Sequence, residues 1–342
     1  MPRAANLKTG GVVERASGIR VLVSSKGSDM TTTAPPAAPP SAHPTIRSVL
    51  LGLLGIPPSV AVESAAVSPD DAVAQPDTAD VYEFTSVDYP GAAQTLVFDS
   101  DGTTALGAFV FDPSSASSPA TAFTVAGGVY QILNVPNSTF SVATGINTSG
   151  LIVGTYQDVA GLTHGFATSD GSTFNDVDFP GATNTQPIDV NDAGVIAGEY
   201  IDAANVEHGF VSSGGTFTAI DFPGAKSTAV AGINANGDTV GGYTDTTGTN
   251  HGFLLSGGVF TPINFPLASD TTAFGINDNG DIAGFYTDTA GKSHGFVYAD
   301  NNFSTVDVAG ASATELTRIK NWGQVTGVYV DALTAEHGLT GQ

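Results

Sequence analysis

Short apolar runs separated by glycine-bearing turns follow one another from residue 82 to the last residue. Between residues 228 and 266 the order is TAVAGIN, an Asn-Gly turn, DTVGGYTD, a Gly-bearing turn, HGFLLS, a Gly-Gly turn and VFTPINFP. Such turns between alternating runs are typical of antiparallel hairpins. The pattern predicts four antiparallel strands, with the crowded Ala- and Gly-rich run innermost and VFTPINFP outermost.

The same pattern recurs with a period of about 43 residues. Five of the six histidines lie in a His-Gly-Phe or His-Gly-Leu motif, with an Asp six residues and a Tyr eight residues before the His. An Asn-x-x-Gly-x-x-x-Gly pattern lies upstream, and a Pro-Gly-Ala turn follows the cleanest copies. Four strands in 40–45 residues are the signature of a propeller blade. Six copies therefore predict an all-β, six-bladed β-propeller over residues 82–342, with residues 1–81 as a separate N-terminal segment.

The two ends of the repeat region complement each other. The last copy stops one strand short, after HGLTGQ, and the first copy begins with an additional outer strand, YEFTSVD. If residues 82–88 complete the blade that residues 313–342 begin, the ring closes and no inner sheet edge stays exposed. An open solenoid is the alternative, but solenoids usually carry atypical polar caps, and the sequence has none at either end.

These motifs resemble a known family. The His-Gly-Phe copies, with the Gly-Ile-Asn-x-x-Gly stretch and the Gly-x-Tyr before them, are similar to the HAF-type repeats of bacterial extracellular proteins. The resemblance covers residues 82–342, although this chain has Gly where the family name implies Ala. It implies a propeller-like fold and export from the cell, and it implies no established activity.

The N-terminal segment differs in charge and composition. Six of the ten basic residues lie in the first 47 positions, and residues 31–44 are rich in Pro, Ala and Thr. The apolar run at residues 49–56 is too short to span a bilayer but long enough for the core of a secretory signal. We expect a signal peptide and a secreted or cell-surface protein. A flexible extension is the alternative.

Overall composition excludes several classes of function. The chain has 33 acidic against 10 basic residues, a formal net charge of −23 and no cysteine. Such an acidic chain repels a phosphate backbone, so no nucleic-acid partner is expected. Without cysteine the chain has no disulfide, no thiolate metal site and no thiol nucleophile.

Each repeated histidine forms a potential pair with the Asp six residues before it. The two residues can face each other across a hairpin, which would suit a catalytic or metal site. A catalytic site occurs once in a chain, whereas a framework contact recurs in every repeat, so we expect hydrogen-bonded pairs that hold the turns. The pairs are Asp158–His164, Asp202–His208, Asp245–His251, Asp288–His294 and Asp331–His337.

Oxygen-rich turns offer a weak indication of calcium. Residues 277–281 and 99–102 carry Asn, Asp or Ser at alternate positions before a Gly. Neither turn has the Glu that completes a high-affinity calcium loop about twelve residues after the first ligand. Asn and Asp are also ordinary turn residues. We therefore expect no cofactor, with weak calcium binding as the alternative.

Departures from the repeat are the candidate functional residues. Arg318 stands where three other copies have Gly, and Asp189 is a second exception at that position. Glu315 and Lys320 are unusual residues of the same last copy. On an innermost strand these four side chains would lie near the central channel, as a polar binding site or as a structural ion pair. Trp322, beside them, is interpreted as a packing or rim residue.

The repeat itself favours a non-catalytic binding or structural module. Its ligand would be a carbohydrate or a protein at one propeller face, and the chain would be a monomer without a transmembrane helix. The alternative is a propeller-based hydrolase or lyase that uses Asp189, Glu315, Arg318 and Lys320 at the channel. No nucleotide-binding loop, nucleophile elbow or HExxH motif is present in the sequence.

Overall fold

The structure, a computed structural model, describes residues 82–112 and 119–342. These residues form six four-stranded antiparallel sheets, and each sheet is one blade of a ring. The chain is a six-bladed β-propeller, as its repeats predict. The candidate export signal lies outside the described residues.

Blades 1 to 5 each consist of four consecutive strands, and blade 6 takes its fourth strand from the start of the chain. Blade 1 is β2 (Gln94–Ser100), β3 (Thr104–Val110), β4 (Thr121–Ala126) and β5 (Val129–Ile132). Blade 2 is β6 (Phe140–Ile146), β7 (Ile152–Gln157), β8 (Thr163–Thr168) and β9 (Asn175–Asp176). Blade 3 is β10 (Asn184–Val190), β11 (Ile196–Ile201), β12 (Glu207–Ser213) and β13 (Thr216–Ile220). Blade 4 is β14 (Ser227–Ile233), β15 (Thr239–Thr244), β16 (Asn250–Ser256) and β17 (Val259–Ile263). Blade 5 is β18 (Asp270–Ile276), β19 (Ile282–Thr287), β20 (Ser293–Ala299) and β21 (Asn302–Val306). Blade 6 is β22 (Ala313–Ile319), β23 (Val325–Val330), β24 (Glu336–Gly341) and β1 (Phe84–Val87).

The first strands of the six blades together surround the axis of the ring. Every residue of β2 and β22 is buried, whereas most residues of the fourth strands β5 and β17 are exposed. The predicted order from inner to outer strand is therefore confirmed. A β-bulge interrupts all six inner strands at the same position, for example between Pro187 and Asp189. Bulges re-aim side chains, and these bulges lie beside the residues that depart from the repeat.

The His-Gly-Phe motif holds neighbouring blades together. Its Phe is fully buried in blades 2 to 5, and Leu339 takes that place in blade 6. Its Gly lies where the inner strand of the next blade passes. A Cβ at Gly209 would lie 2.6 Å from the Val230 side chain, closer than such atoms approach. The motif recurs because each blade meets the next one in the same way.

The leading strand closes the ring. Residues 84–87 of β1 pair with residues 338–341 of β24, and the Glu83 amide donates to the Gln342 carbonyl at 3.0 Å. Blade 6 also bonds to blade 1 near the axis, where the Thr326 hydroxyl donates to the Phe98 carbonyl at 3.3 Å. Closure through residues 82–88 is as predicted. None of the described residues lies in a helix long and apolar enough to cross a membrane.

Candidate functional site

A polar depression lies at one mouth of the central channel. It is formed by the turns between first and second strands, and its cavity volume is about 90 Å³. We call this depression the channel cup. Its lining residues are Asp101, Ile146, Asn147, Thr148, Asp189, Val190, Asn191, Asp192, Ile233, Asn234, Ala235, Ile276, Asn277, Asp278, Arg318, Ile319, Lys320, Asn321 and Trp322.

Arg318 forms the floor of the channel cup and bridges the ring across its axis. Its guanidinium donates to the Ile188 carbonyl at 2.5 Å and the Thr144 carbonyl at 3.2 Å, which belong to blades 3 and 2. Its Nε lies 3.4 Å from a carboxylate oxygen of Asp189. At the same position in blades 2, 4 and 5 the residue is Gly, where a Cβ would lie 2.7–3.0 Å from backbone atoms of the next inner strand.

A second ion pair closes the joint between blades 6 and 1. The Lys320 ammonium lies 2.6 Å from a carboxylate oxygen of Asp99, whose side chain is fully buried. Asp99 occupies in blade 1 the position that Asp189 occupies in blade 3 and Arg318 in blade 6. The second carboxylate oxygen of Asp99 accepts a hydrogen bond from the Ile146 amide of blade 2 at 2.9 Å. Asp189 accepts the Ile233 amide of blade 4 in the same way.

The floor of the channel cup is therefore charge-balanced, with two carboxylates and two cations. Burial raises the pKa of Asp189, and the neighbouring Arg318 guanidinium opposes that effect. Of the four predicted site residues, the structure brings Asp189, Arg318 and Lys320 together. Glu315 is buried on β22 but does not line the channel cup.

The repeated asparagines form a belt of hydrogen bonds around the channel cup. The side-chain amide of Asn147 donates to the Asn191 carbonyl of the next blade, and the contact recurs through Asn234 and Asn277 to Lys320. The side-chain oxygen of each asparagine accepts backbone amides of its own turn. The Asn-x-x-Gly motif thus has a framework role.

The opposite face carries the histidines, because successive turns of an antiparallel blade alternate between its two ends. In all five pairs the imidazole Nε2 lies 3.2–3.6 Å from the Asp six residues earlier, and the contact is a hydrogen bond for His251, His294 and His337. The Nδ1 atom has a partner at 2.6–3.2 Å that the sequence did not predict, and this partner is closer than the Asp in every pair except that of His251. These partners follow the fourth strand of the blade and are Asp178, Asp221, Asn264, Asp307 and Asp88.

Each histidine also stacks on the preceding Tyr of its blade, with ring centroids 4.9–5.3 Å apart. The same polar and aromatic arrangement therefore recurs in five blades. Among the residues that the structure describes, no group of three or more His, Asp or Glu side chains is arranged to hold a metal ion. In the turn that begins at Asn277, the side-chain oxygen accepts two backbone amides of the turn itself. The weak calcium prediction is untested.

We expect His294→Ala to lower the free energy of unfolding by about 1–2 kcal/mol, because it leaves the Asp307 carboxylate without its imidazole partner at 2.6 Å. Asp307→Asn should cost less, since the chain itself uses Asn264 opposite His251. Chemical denaturation measures both effects. A normal stability for His294→Ala combined with loss of ligand binding would instead indicate a functional histidine.

Two glutamates of blade 3, one fully buried and one half-buried, were also missed. Glu199 is fully buried and accepts from the Gln186 amide at 3.0 Å. Burial raises its pKa well above the ordinary value, and burial raises the pKa of Glu207 to about 7. Hydrogen bonds to Asp307 and Asp88 raise the pKa values of His294 and His337.

All four groups bind protons more strongly in the folded chain than in the unfolded chain. We therefore expect stability to fall as the pH rises from about 5 to about 8. The stabilisation that the two histidines contribute is complete below the ordinary histidine pKa of 6.5 and is lost as the pH rises above it. The Glu207 contribution is lost between 4.5 and about 7, and the Glu199 contribution is lost as the pH rises above 4.5. Melting curves across this range test the expectation, and Glu207→Gln should flatten part of the fall. A rise in melting temperature toward pH 8 would contradict it.

The chain matches no protein-family model and no curated protein. It is similar to solved propeller structures. TolB from Acinetobacter baumannii is 10% identical with a TM-score of 0.52, over 71% of this chain and 65% of that one. AofleA from Arthrobotrys oligospora is 12% identical with a TM-score of 0.49, over 75% and 85%. A six-bladed fungal lectin from Aleuria aurantia is 12% identical with a TM-score of 0.45, over 72% and 91%. At 10% identity the similarity to TolB bears on the fold alone.

Proposed function

We propose that this protein is a non-catalytic binding module, secreted or exposed on the cell surface, whose carbohydrate or protein ligand enters the channel cup. The observation that carries the proposal is the concentration of unrepeated side chains at one channel mouth. Arg318, Lys320 and Trp322 all line the channel cup and all depart from the repeat. The histidine face, by contrast, repeats one arrangement around most of the ring.

The chemistry of the channel cup supports binding rather than catalysis. Asp189 and Arg318 are engaged with each other and with backbone groups of other blades. Within the described part of the chain, the lining contains no histidine, serine or glutamate, and its exposed aspartates Asp192 and Asp278 accept backbone amides of neighbouring turns. A hydrolase or lyase needs a group that is free to move a proton or attack a substrate.

Blocking the channel cup tests the proposal. Ala235 is exposed and lines the channel cup, so Ala235→Tyr adds bulk there without removing a native contact. Ala203→Tyr places the same bulk on an exposed turn of the opposite face. On glycan and protein-ligand arrays, we expect Ala235→Tyr to lose the binding of the native chain and Ala203→Tyr to keep it. Equal binding by both variants, or turnover in a glycosidase, esterase and lyase screen, would overturn the proposal.

Export and a monomeric state are part of the same proposal, and the resemblance to HAF-type repeats supports export. We expect the mature protein in the extracellular or surface fraction, with its N-terminus between the apolar run and residue 82. N-terminal sequencing of that fraction, followed by size-exclusion chromatography, checks both expectations. Recovery of the full chain from the cytoplasm would contradict export.

A further inference from the structure

Trp322 is the chain's only tryptophan, and its ring is seated at the rim of the channel cup. About half of its surface is exposed, at 49%. One edge of the indole rests against Gly102 of blade 1, where a Cβ would lie only 2.9 Å from Cζ2. Gly102 also has a φ of +92°, which favours glycine. The neighbouring blade therefore supports the ring and leaves the rest of its surface beside the channel cup.

Only blade 6 presents an aromatic ring at this turn position. The corresponding residues of blades 2 to 5 are Ser149, Ala193, Asn236 and Asn279, and the turn of blade 1, which is one residue shorter, contains no aromatic residue. A large apolar side chain exposed beside a polar depression is a feature of binding sites rather than of a repeated framework. One edge of the Trp322 indole thus packs against blade 1, and the rest of the ring is available to contact a ligand.

Hydrogen-bonding groups line the channel cup together with Trp322. The Lys320 ammonium uses one contact on Asp99, is 20% exposed, and has further N–H groups for a ligand. Asp192 lines the channel cup and uses one carboxylate oxygen on the Thr148 amide, which leaves its second oxygen as an acceptor. Asp192 belongs to blade 3, on the side of the ring opposite blade 6, so a ligand that contacts both Asp192 and Trp322 would span the channel cup. An aromatic face together with a donor and an acceptor matches a sugar ring, which has an apolar C–H face and a rim of hydroxyl groups.

Charge and size narrow the ligand further. The floor of the channel cup is balanced, while Asp101, Asp192 and Asp278 add negative charge to the lining. The whole chain carries a formal charge of −23. This field disfavours uronic, sialylated and sulfated sugars. A volume of about 90 Å³ suits the edge of one sugar ring, so the end of a glycan would enter and the remainder would stay outside.

We propose that the channel cup binds the neutral terminal pyranose of a glycan, stacked on Trp322 and hydrogen-bonded by Lys320 and Asp192. The proposal rests on the proposed function and selects carbohydrate over protein as the ligand. Because the chain has one tryptophan, its tryptophan fluorescence, excited at wavelengths that tyrosine does not absorb, reports this site alone.

The test titrates the full chain with neutral hexoses and short neutral glycans, each paired with its uronic acid counterpart. We expect a saturable change in tryptophan fluorescence with at least one neutral sugar and about tenfold weaker binding of its acidic counterpart. By calorimetry, Trp322→Ala should weaken binding about tenfold or more, while Trp322→Phe should retain most of it. Melting temperatures of both variants check that they are folded.

Three outcomes would overturn this inference while leaving the proposed function intact, provided that Ala235→Tyr still abolishes binding. The first is a protein ligand with no neutral sugar bound. The second is equal or tighter binding of the acidic sugars. The third is a folded Trp322→Ala variant that binds the sugar normally. If Ala235→Tyr has no effect on any binding, the proposed function itself fails.

Discussion

Replacing Arg318 by alanine should lower the free energy of unfolding by about 3–5 kcal/mol, the largest effect expected of a single substitution here. The guanidinium is 3% exposed and bonds to backbone carbonyls of two other blades. Its loss leaves those carbonyls unpaired and the Asp189 carboxylate buried without its nearest cation. Urea denaturation measures the change. Lys226→Ala, at an exposed lysine, is the control and should shift stability by less than about 0.5 kcal/mol.

A second variant separates the unpaired charge from the lost bridge. The double variant Arg318→Gly with Asp189→Gly places a Gly on β22 and on β10, at the position where blades 2, 4 and 5 already have Gly. This double variant should be more stable than Arg318→Gly alone, because the unpaired carboxylate is gone. A single Arg318→Ala variant as stable as the native chain would show that the bridge contributes nothing.

Removing β1 should cause the other large loss of stability. A chain that starts at residue 82 keeps the strand, whereas a chain that starts at residue 93 loses β1 and also Asp88, the partner of His337. We expect the shorter chain to melt on the order of 10 °C lower, which corresponds to several kcal/mol for a domain of this size. Its unpaired β24 edge should also promote association.

A peptide of residues 82–92 supplied in trans gives a matched test. It should restore much of the melting temperature of the shorter chain, and a scrambled peptide of the same composition should not. If the chains starting at residues 82 and 93 have the same melting temperature, β1 does not close the ring.

Repetition explains why the fold could be predicted from the sequence. Each blade makes the same contacts with the next, so the Gly of the His-Gly-Phe motif and the Asn of the belt recur wherever those contacts recur. The tail also lacks one strand that the leading segment supplies. Together these regularities predicted blade number, strand order and closure.

Contacts that depend on the ring as a whole were harder to predict. Asp99 was missed as a partner of Lys320 because its copy lacks the histidine motif that aligns the others. Arg318 bonds to residues 130 and 174 positions away, which only the closed ring brings together. The closer partners of the histidines, such as Asp307, follow the fourth strand, so their position depends on strand register.

The closed ring can be tested most directly with a cysteine pair, because the native chain contains no cysteine. Thr85 of β1 and Thr340 of β24 are paired residues, and paired Cα atoms of antiparallel strands lie within disulfide range. Ser213→Cys with Thr216→Cys, paired within one local hairpin, is the control. A closed ring predicts that Thr85→Cys with Thr340→Cys oxidises to an intramolecular disulfide in the monomer, as the control does. Formation of the control disulfide alone, or only of linked dimers by the Thr85/Thr340 variant, would contradict closure by the leading strand.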